Sequence, residues 1–211
     1  MASTITAGNA TNGLAISADN TGILQLKTGT GAGTVGLTID ASQNVTFAGT
    51  ASVATGALYP LVSGTAVAST SGTSIDFTGI PATAKRITVL FFNVSTSGTS
   101  LVQLQLGTSG GFVTTGYASG ATRNASASTS TTGLLLSAVQ TAADAMYVTS
   151  TISLITGTSW VQNGLSMPTN LGNGSQSGGG IALGGVLDRI RVTTVAGTDT
   201  FDAGSINLFW E

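Results

Sequence analysis

The chain contains no cysteine and no histidine among its 211 residues. Disulfides, thiolate nucleophiles and thiolate metal sites are excluded together, along with the commonest general base and metal ligand. Charge is almost as scarce, with six Lys or Arg against eight Asp or Glu. No basic stripe exists to neutralise a row of phosphates, so nucleic acid is not an expected partner. The small acidic excess disfavours anionic lipid surfaces. No apolar run approaches the roughly 18 residues that span a bilayer, and no membrane insertion is expected. Residues 1–10 have neither the basic region nor the apolar core of an export signal, which implies a protein made in the cytoplasm without a signal peptide.

What is abundant is Ser, Thr, Val and Gly, with 30 glycines but only three prolines. That is a composition for many short strands joined by turns. The polar surface must be built from hydroxyls and amides rather than from ions.

An internal echo opens the chain: Gly13-Leu14-Ala15-Ile16-Ser17-Ala18 returns 23 residues later as Gly36-Leu37-Thr38-Ile39-Asp40-Ala41. Each copy passes through a polar turn into a second short apolar stretch, at 23–27 and 45–47. Apolar side chains alternate with small polar ones at Leu14 and Ile16, Leu24 and Leu26, Val35, Leu37 and Ile39, and Val45 and Phe47. This is the period of a strand with one buried face. Hairpins with so few large apolar groups are marginal alone in water, so the face is expected to be buried against the same segment of other subunits. Residues 1–50 are therefore expected to form an intertwined β-hairpin stalk whose seam is made of those side chains. A linker is expected at 51–56 and a head at 57–211.

Beyond the linker, strand-like runs crowd together at 74–77, 86–94, 101–106, 134–136, 146–155, 160–165, 181–183, 190–194 and 205–210. Only 137–144 could form a helical turn. The spacing predicts an all-β head, an antiparallel β-sandwich of jelly-roll type. In 86–92, Ile87, Val89 and Phe91 share one face, while Leu90 and Phe92 put apolar groups on the other, as a subunit interface would. In 101–106, Gln103 and Gln105 lie opposite Val102, Leu104 and Leu106. Residues 107–132 and 168–180 lack alternation and read as long loops, where contact surfaces are commonly carried.

Catalytic chemistry has little to draw on. The closest acid pair, Asp199 and Asp202, has the spacing of a turn rather than of two carboxylates facing across a sugar, and matches no calcium loop. Lys85, ahead of Arg86, reads as a solvated edge charge, and Asp188-Arg189-Ile190-Arg191 as an ion-paired strand entrance. Trp160 and Trp210 read as core packing. No catalytic residue, metal site or cofactor is assigned. Candidate receptor contacts are Tyr117, as an exposed aromatic anchor in a glycine-rich loop, with Arg123 and Asn124 beside it, and Asn170 and Asn173 in the second loop.

Three stretches complete the pattern: Thr73-Ser74-Ile75-Asp76-Phe77-Thr78-Gly79-Ile80-Pro81, Lys85-Arg86-Ile87-Thr88-Val89 and Asp199-Thr200-Phe201-Asp202-Ala203-Gly204-Ser205-Ile206-Asn207-Leu208. With the doubled Gly-Leu-x-Ile-x-Ala repeat they resemble the small fibre proteins of tailed bacteriophages, in which shaft repeats precede a recurrent C-terminal β module. The matching stretches cover roughly a third of the chain and consist of strands and turns, so no binding residue is carried over. The resemblance implies a homotrimer in the virion, with a shaft, a β-rich head and a role in attachment. Its implied partners are another virion protein of tail, baseplate or capsid, held through the N-terminal segment, and a host surface glycan or protein. Longer fibres carry a tail-docking domain before such repeats, and none is seen here. A tail fibre is the first expectation, with a head fibre or capsid decoration as the alternative. A polysaccharide depolymerase using Asp199 and Asp202 is the enzymatic one.

Overall fold

The structure, a computed structural model, describes residues 22–28, 34–49, 52–53, 56–57, 60–142, 144–170 and 172–211. It is all-β with antiparallel sheets, and no helix occurs among the described residues. The chain forms two compact units, the first ending at Tyr59 and the second running Pro60–Glu211.

In the first unit, β1 (Leu24–Thr28), β2 (Thr34–Ile39) and β3 (Val45–Phe47) form a three-stranded antiparallel sheet in sequence order. Asp40 closes the second hairpin: its Oδ1 accepts from Ser42 N and Asn44 N, each at 2.9 Å. Its Oδ2 accepts from Asn44 Nδ2 at 3.0 Å, and these bonds hold the carboxyl below its ordinary range. The register sets Leu26, Leu37 and Phe47 in one cross-strand row and Leu24, Ile39 and Val45 in the next. Both rows lie on one face, and none of their side chains is buried within the unit. Leu14 and Ile16, expected on the same seam, lie outside the described residues. In the stretch expected as linker, β4 (Ser52–Val53) pairs with β5 (Gly56–Ala57).

The second unit runs β6 (Val62–Ser63), β7 (Val67–Ala68), β8 (Ser74–Thr78), β9 (Arg86–Thr96), β10 (Val102–Thr108), β11 (Gly111–Phe112), β12 (Ala118–Arg123), β13 (Ser126–Ser130), β14 (Leu134–Leu135), β15 (Met146–Thr156), β16 (Ser159–Pro168), β17 (Ser175–Ala182), β18 (Arg189–Thr194) and β19 (Phe201–Trp210). A nine-stranded sheet is ordered β13-β12-β17-β16-β15-β9-β19-β6, with β7 also on β19, and a five-stranded sheet is ordered β11-β10-β18-β8, with β14 on β10. One apolar cluster draws on both, including Ile87, Val89, Ile152 and Leu208 from the first and Leu104, Leu106, Ile190 and Val192 from the second. Burial of such groups is the main favourable term holding the unit together.

Two expected loops are in fact largely strand. β11, β12 and β13 occupy much of 107–132, and β17 begins at Ser175 within 168–180. These segments of Ser, Gly, Ala and Thr carry little apolar alternation and are fixed instead by ladder bonds and small hydroxyls. Ser119 Oγ accepts from Leu135 N at 2.8 Å, and Ser130 Oγ donates to Gln103 Oε1 at 3.0 Å. Gln103 and Gln105 are consequently buried on the far face of β10, with Gln105 Nε2 donating to Thr132 O at 3.0 Å. Satisfied amides can be buried there at little net cost.

β9 lies between β15 and β19 and carries a bulge. Phe91 pairs with Val148 and Val94 with Met146, so Phe92 and Asn93 together oppose Tyr147. Asn93 takes a left-handed φ of 55°, and the extra residue keeps Ile87, Val89 and Phe91 in phase with Val94 and Thr96 on the buried face. The neighbouring strand makes room with Gly204 at φ 90°, where a Cβ would lie 2.3 Å from Asn93 O. Gly204→Ala is therefore expected to destabilise the chain by about 2–4 kcal/mol in urea unfolding. Gly184→Ala, with open space at its Cβ, is expected to cost less than about 1 kcal/mol; equal effects would remove the bulge from the explanation.

Candidate functional site

Tyr117 does not stand out as an exposed anchor. Its ring is buried in the core cluster, and its hydroxyl accepts from Leu106 N at 2.7 Å while donating to Val113 O at 2.9 Å. Burial pushes its pKa up to about 12. Leu106 N–H, turned away from a ladder partner, is satisfied by this phenol, which is why an aromatic in a glycine-rich stretch folds inward.

Arg123 ends β12, the strand that begins one residue after Tyr117, and its six residues put it about 20 Å from Tyr117. It too is buried, and its Nε donates to Asn173 Oδ1 at 2.9 Å. Arg123 and Asn173 are thus brought together from the two expected loops, as a joint between segments rather than an open contact. Asn124 is exposed in the tight turn joining β12 to β13, at a left-handed φ of 50°. Asn170 is exposed beyond β16.

Other polar groups serve the scaffold. Asp199 Oδ2 accepts from Ser100 N at 2.8 Å, its carboxyl resting over Gly98, whereas Asp202 accepts from Ser95 Oγ. The two acids therefore engage separate partners. Arg189 bonds Asp188 at 2.7 Å and holds its carboxyl below the ordinary range. Arg191 forms a two-pronged pair with Asp76, both bonds 2.7 Å, and lies 4.2 Å from the Phe112 ring centre. Arg86 pairs with Glu211. Trp160 is buried and Trp210 packs partly buried against the core. In 137–144, Ser137, Gln140 and Asp144 carry buried oxygens with no hydrogen-bond partner among the described residues. A single carboxylate does not make a calcium cage, and no cluster of three or more acids occurs among the described residues.

A concavity lies elsewhere, on the face of the nine-stranded sheet turned away from the core. A groove of about 760 Å³ is lined by Leu90, Phe92, Tyr147, Leu165 and Met167, with Thr149, Gln176, Ser205 and Asn207 among its polar residues. Phe92 and Tyr147, set together by the bulge, meet edge to face with ring centres 5.3 Å apart. No charged residue lines the groove, so it is suited to contact and not to acid–base chemistry. Leu90 and Phe92 announced this face in the sequence. Leu165 and Met167 did not, because β16 mixes polar and apolar residues on both faces: Trp160, Gln162 and Ser166 are buried while Val161, Asn163, Leu165 and Met167 are exposed. Gln162 Nε2 donates inward to Ser150 Oγ and Ser177 Oγ, each at 2.9 Å.

No protein-family model matches the chain, and no curated protein or solved structure matches it.

Replacing Tyr117 by Phe leaves Leu106 N–H without its acceptor and is expected to cost about 1–3 kcal/mol. The same phenol makes stability depend on alkali. Between its ordinary pKa of 10.0 and the folded value of about 12, the folded chain keeps a proton that the unfolded chain has lost. Stability present below pH 10 is therefore expected to fall as pH rises towards 12, and Tyr117→Phe to flatten that slope in denaturant titrations.

Proposed function

We propose that the chain is a structural fibre subunit of a tailed-bacteriophage virion. In this reading it is a homotrimer whose N-terminal hairpins intertwine as a stalk and whose second unit is a β-sandwich head. Its work is adhesion, with a tail-fibre position and a host surface glycan or protein as the target. Three weak contacts engaged together gain about two to four orders of magnitude over one.

The observation that carries this reading is the unpartnered face of the first unit. Its two apolar rows are aligned across three strands yet not buried by anything within the unit. A three-stranded sheet with one apolar face needs a cover to be stable, and the repeat in the sequence supplies one in the same segment of other copies. Further support comes from the second unit, where two antiparallel sheets close on one core as a sandwich would. The scarcity of charge fits recognition by hydroxyls and amides. Exposed Asn124 and Asn170 remain as contact candidates, whereas Tyr117 and Arg123 act within the fold.

Sedimentation equilibrium of the whole chain is expected to return three times the chain mass. Leu37→Asp or Ile39→Asp places a charge in the shared seam and is expected to abolish that state, while Thr38→Asp, on the opposite face, leaves it intact. Equal effects at the three positions would overturn the seam. Antibody labelling of particles is expected at the tail tip, and label spread over the capsid would favour a decoration protein instead.

A further inference from the structure

We infer that the outer face of the nine-stranded sheet is where second units of neighbouring copies meet. The Leu90–Phe92–Tyr147–Leu165–Met167 groove is therefore covered by the same sheet face of the other copies, turned in towards their common axis. This rests on the oligomeric reading above and adds which surface makes the contact.

The strand β16 carries the inference. A period-2 strand facing water on one side places its apolar residues in the core and its polar ones outside. Shifting the register by one residue would exchange the two sets. β16 is paired along its length with β15 and β17, and it holds Trp160, Gln162 and Ser166 inside with Val161, Leu165 and Met167 outside. Trp160 in the core and the bonds of Gln162 fix that facing, which leaves three large apolar side chains on the outer side, a cost in water that a cover removes.

Extent and charge point to a copy of the same chain. Phe92 is 66 % exposed, Leu165 63 %, Met167 50 % and Tyr147 41 %, and a second hollow sharing Leu90 extends the strip across Phe209 to Leu61, 64 % exposed. At about 200 Å² for a large side chain, these residues present about 570 Å² of mostly apolar surface. One partner in a stable interface contributes roughly 800 Å², of which about 65 % is apolar in homodimers. The strip therefore matches the apolar share one copy would bring. When the same face of several copies turns in to one axis, like charges near that axis are brought towards each other, at a cost of several kcal/mol if unpaired. Here the groove carries no charge, and the strip's far end carries Arg86 and Glu211 already paired to each other.

The test uses the whole chain with substitutions at positions exposed in a single copy. Phe92→Glu combined with Leu165→Glu is expected to lower the sedimenting mass or split the heads apart in a hydrodynamic profile, with the β circular dichroism unchanged. Val186→Glu, at a site 59 % exposed and away from the strip, is expected to change neither. Because the chain has no cysteine, Leu165→Cys supplies a single thiol and a second readout that does not need a disruptive charge. That thiol is expected to cross-link between copies and to react with maleimide at least about tenfold more slowly than the thiol of Val186→Cys. An oligomer in which both thiols react equally fast would overturn this interface while leaving the oligomeric reading standing. A wild-type chain that is monomeric at every concentration would overturn both, and would assign the groove to a different partner.

Discussion

The nine-stranded sheet depends on one close approach of backbone to backbone. Asn93 takes a left-handed conformation in the middle of β9, and Gly204 on the adjoining strand lets the Asn93 carbonyl come nearer than any side chain would allow. The added residue shifts the alternation of β9 by one step, so Val94 and Thr96 stay on the buried face in phase with Ile87, Val89 and Phe91. Phe92, outward by plain alternation, lies at the same step opposite Tyr147 and meets it edge to face. Continuity of the core along β9 thus rests on a bulge and its glycine seat, and the aromatic corner of the outer groove sits beside them.

Polarity inside the sheet is organised to match. Gln162 spans Ser150 and Ser177 from the central of three neighbouring strands, and Gly164 leaves the space through which that amide reaches them. Ser175 Oγ accepts from Ala138 N and Ser119 Oγ from Leu135 N, tying β17 and β12 to the β14 segment. Buried hydroxyls of this kind specify a register that apolar patterning alone would leave ambiguous. They also free the apolar residues of β16 to face outward.

Much of the strand inventory was legible in the sequence because β8, β9, β10, β15, β18 and β19 contain runs of Val, Ile, Leu and Phe with a period of two. β12, β13 and most of β17 were not, since Ala118–Arg123, Ser126–Ser130 and the glycines of Ser175–Ala182 carry no such signal. The inference from glycine-rich sequence to exposed loop failed for Tyr117 because the glycines around it serve the backbone of turns and strands, with Gly111 and Gly116 at left-handed φ and Gly120 within β12, while the tyrosine itself folds into the core. On the outer face, Leu90 and Phe92 could be recognised as misplaced by alternation. Leu165 and Met167 were less legible, because β16 mixes apolar and polar residues on both faces, and it is Trp160 in the core together with the bonds of Gln162 that turns them outward. The alternation of the repeats was legible, and Leu26, Leu37 and Phe47 do lie opposite one another, but the register was not: a bulge beyond Leu26 sets Val35, expected on the seam, opposite Lys27 and out of the Leu37 row.

The ion pairs described are local: Arg189 with its neighbour Asp188, Arg191 with Asp76 across a strand pair, and Arg86 with the terminal Glu211. With fourteen charged residues, six of them paired in place, and a net charge of −2, the molecule projects little long-range field. Collisions with other molecules are then not guided from a distance, and productive encounters proceed at about 10⁵–10⁶ M⁻¹s⁻¹, the range for unsteered docking. Dissolved salt screens nothing of consequence. Association governed by shape and apolar contact alone should run at nearly the same speed in fresh water as in brine.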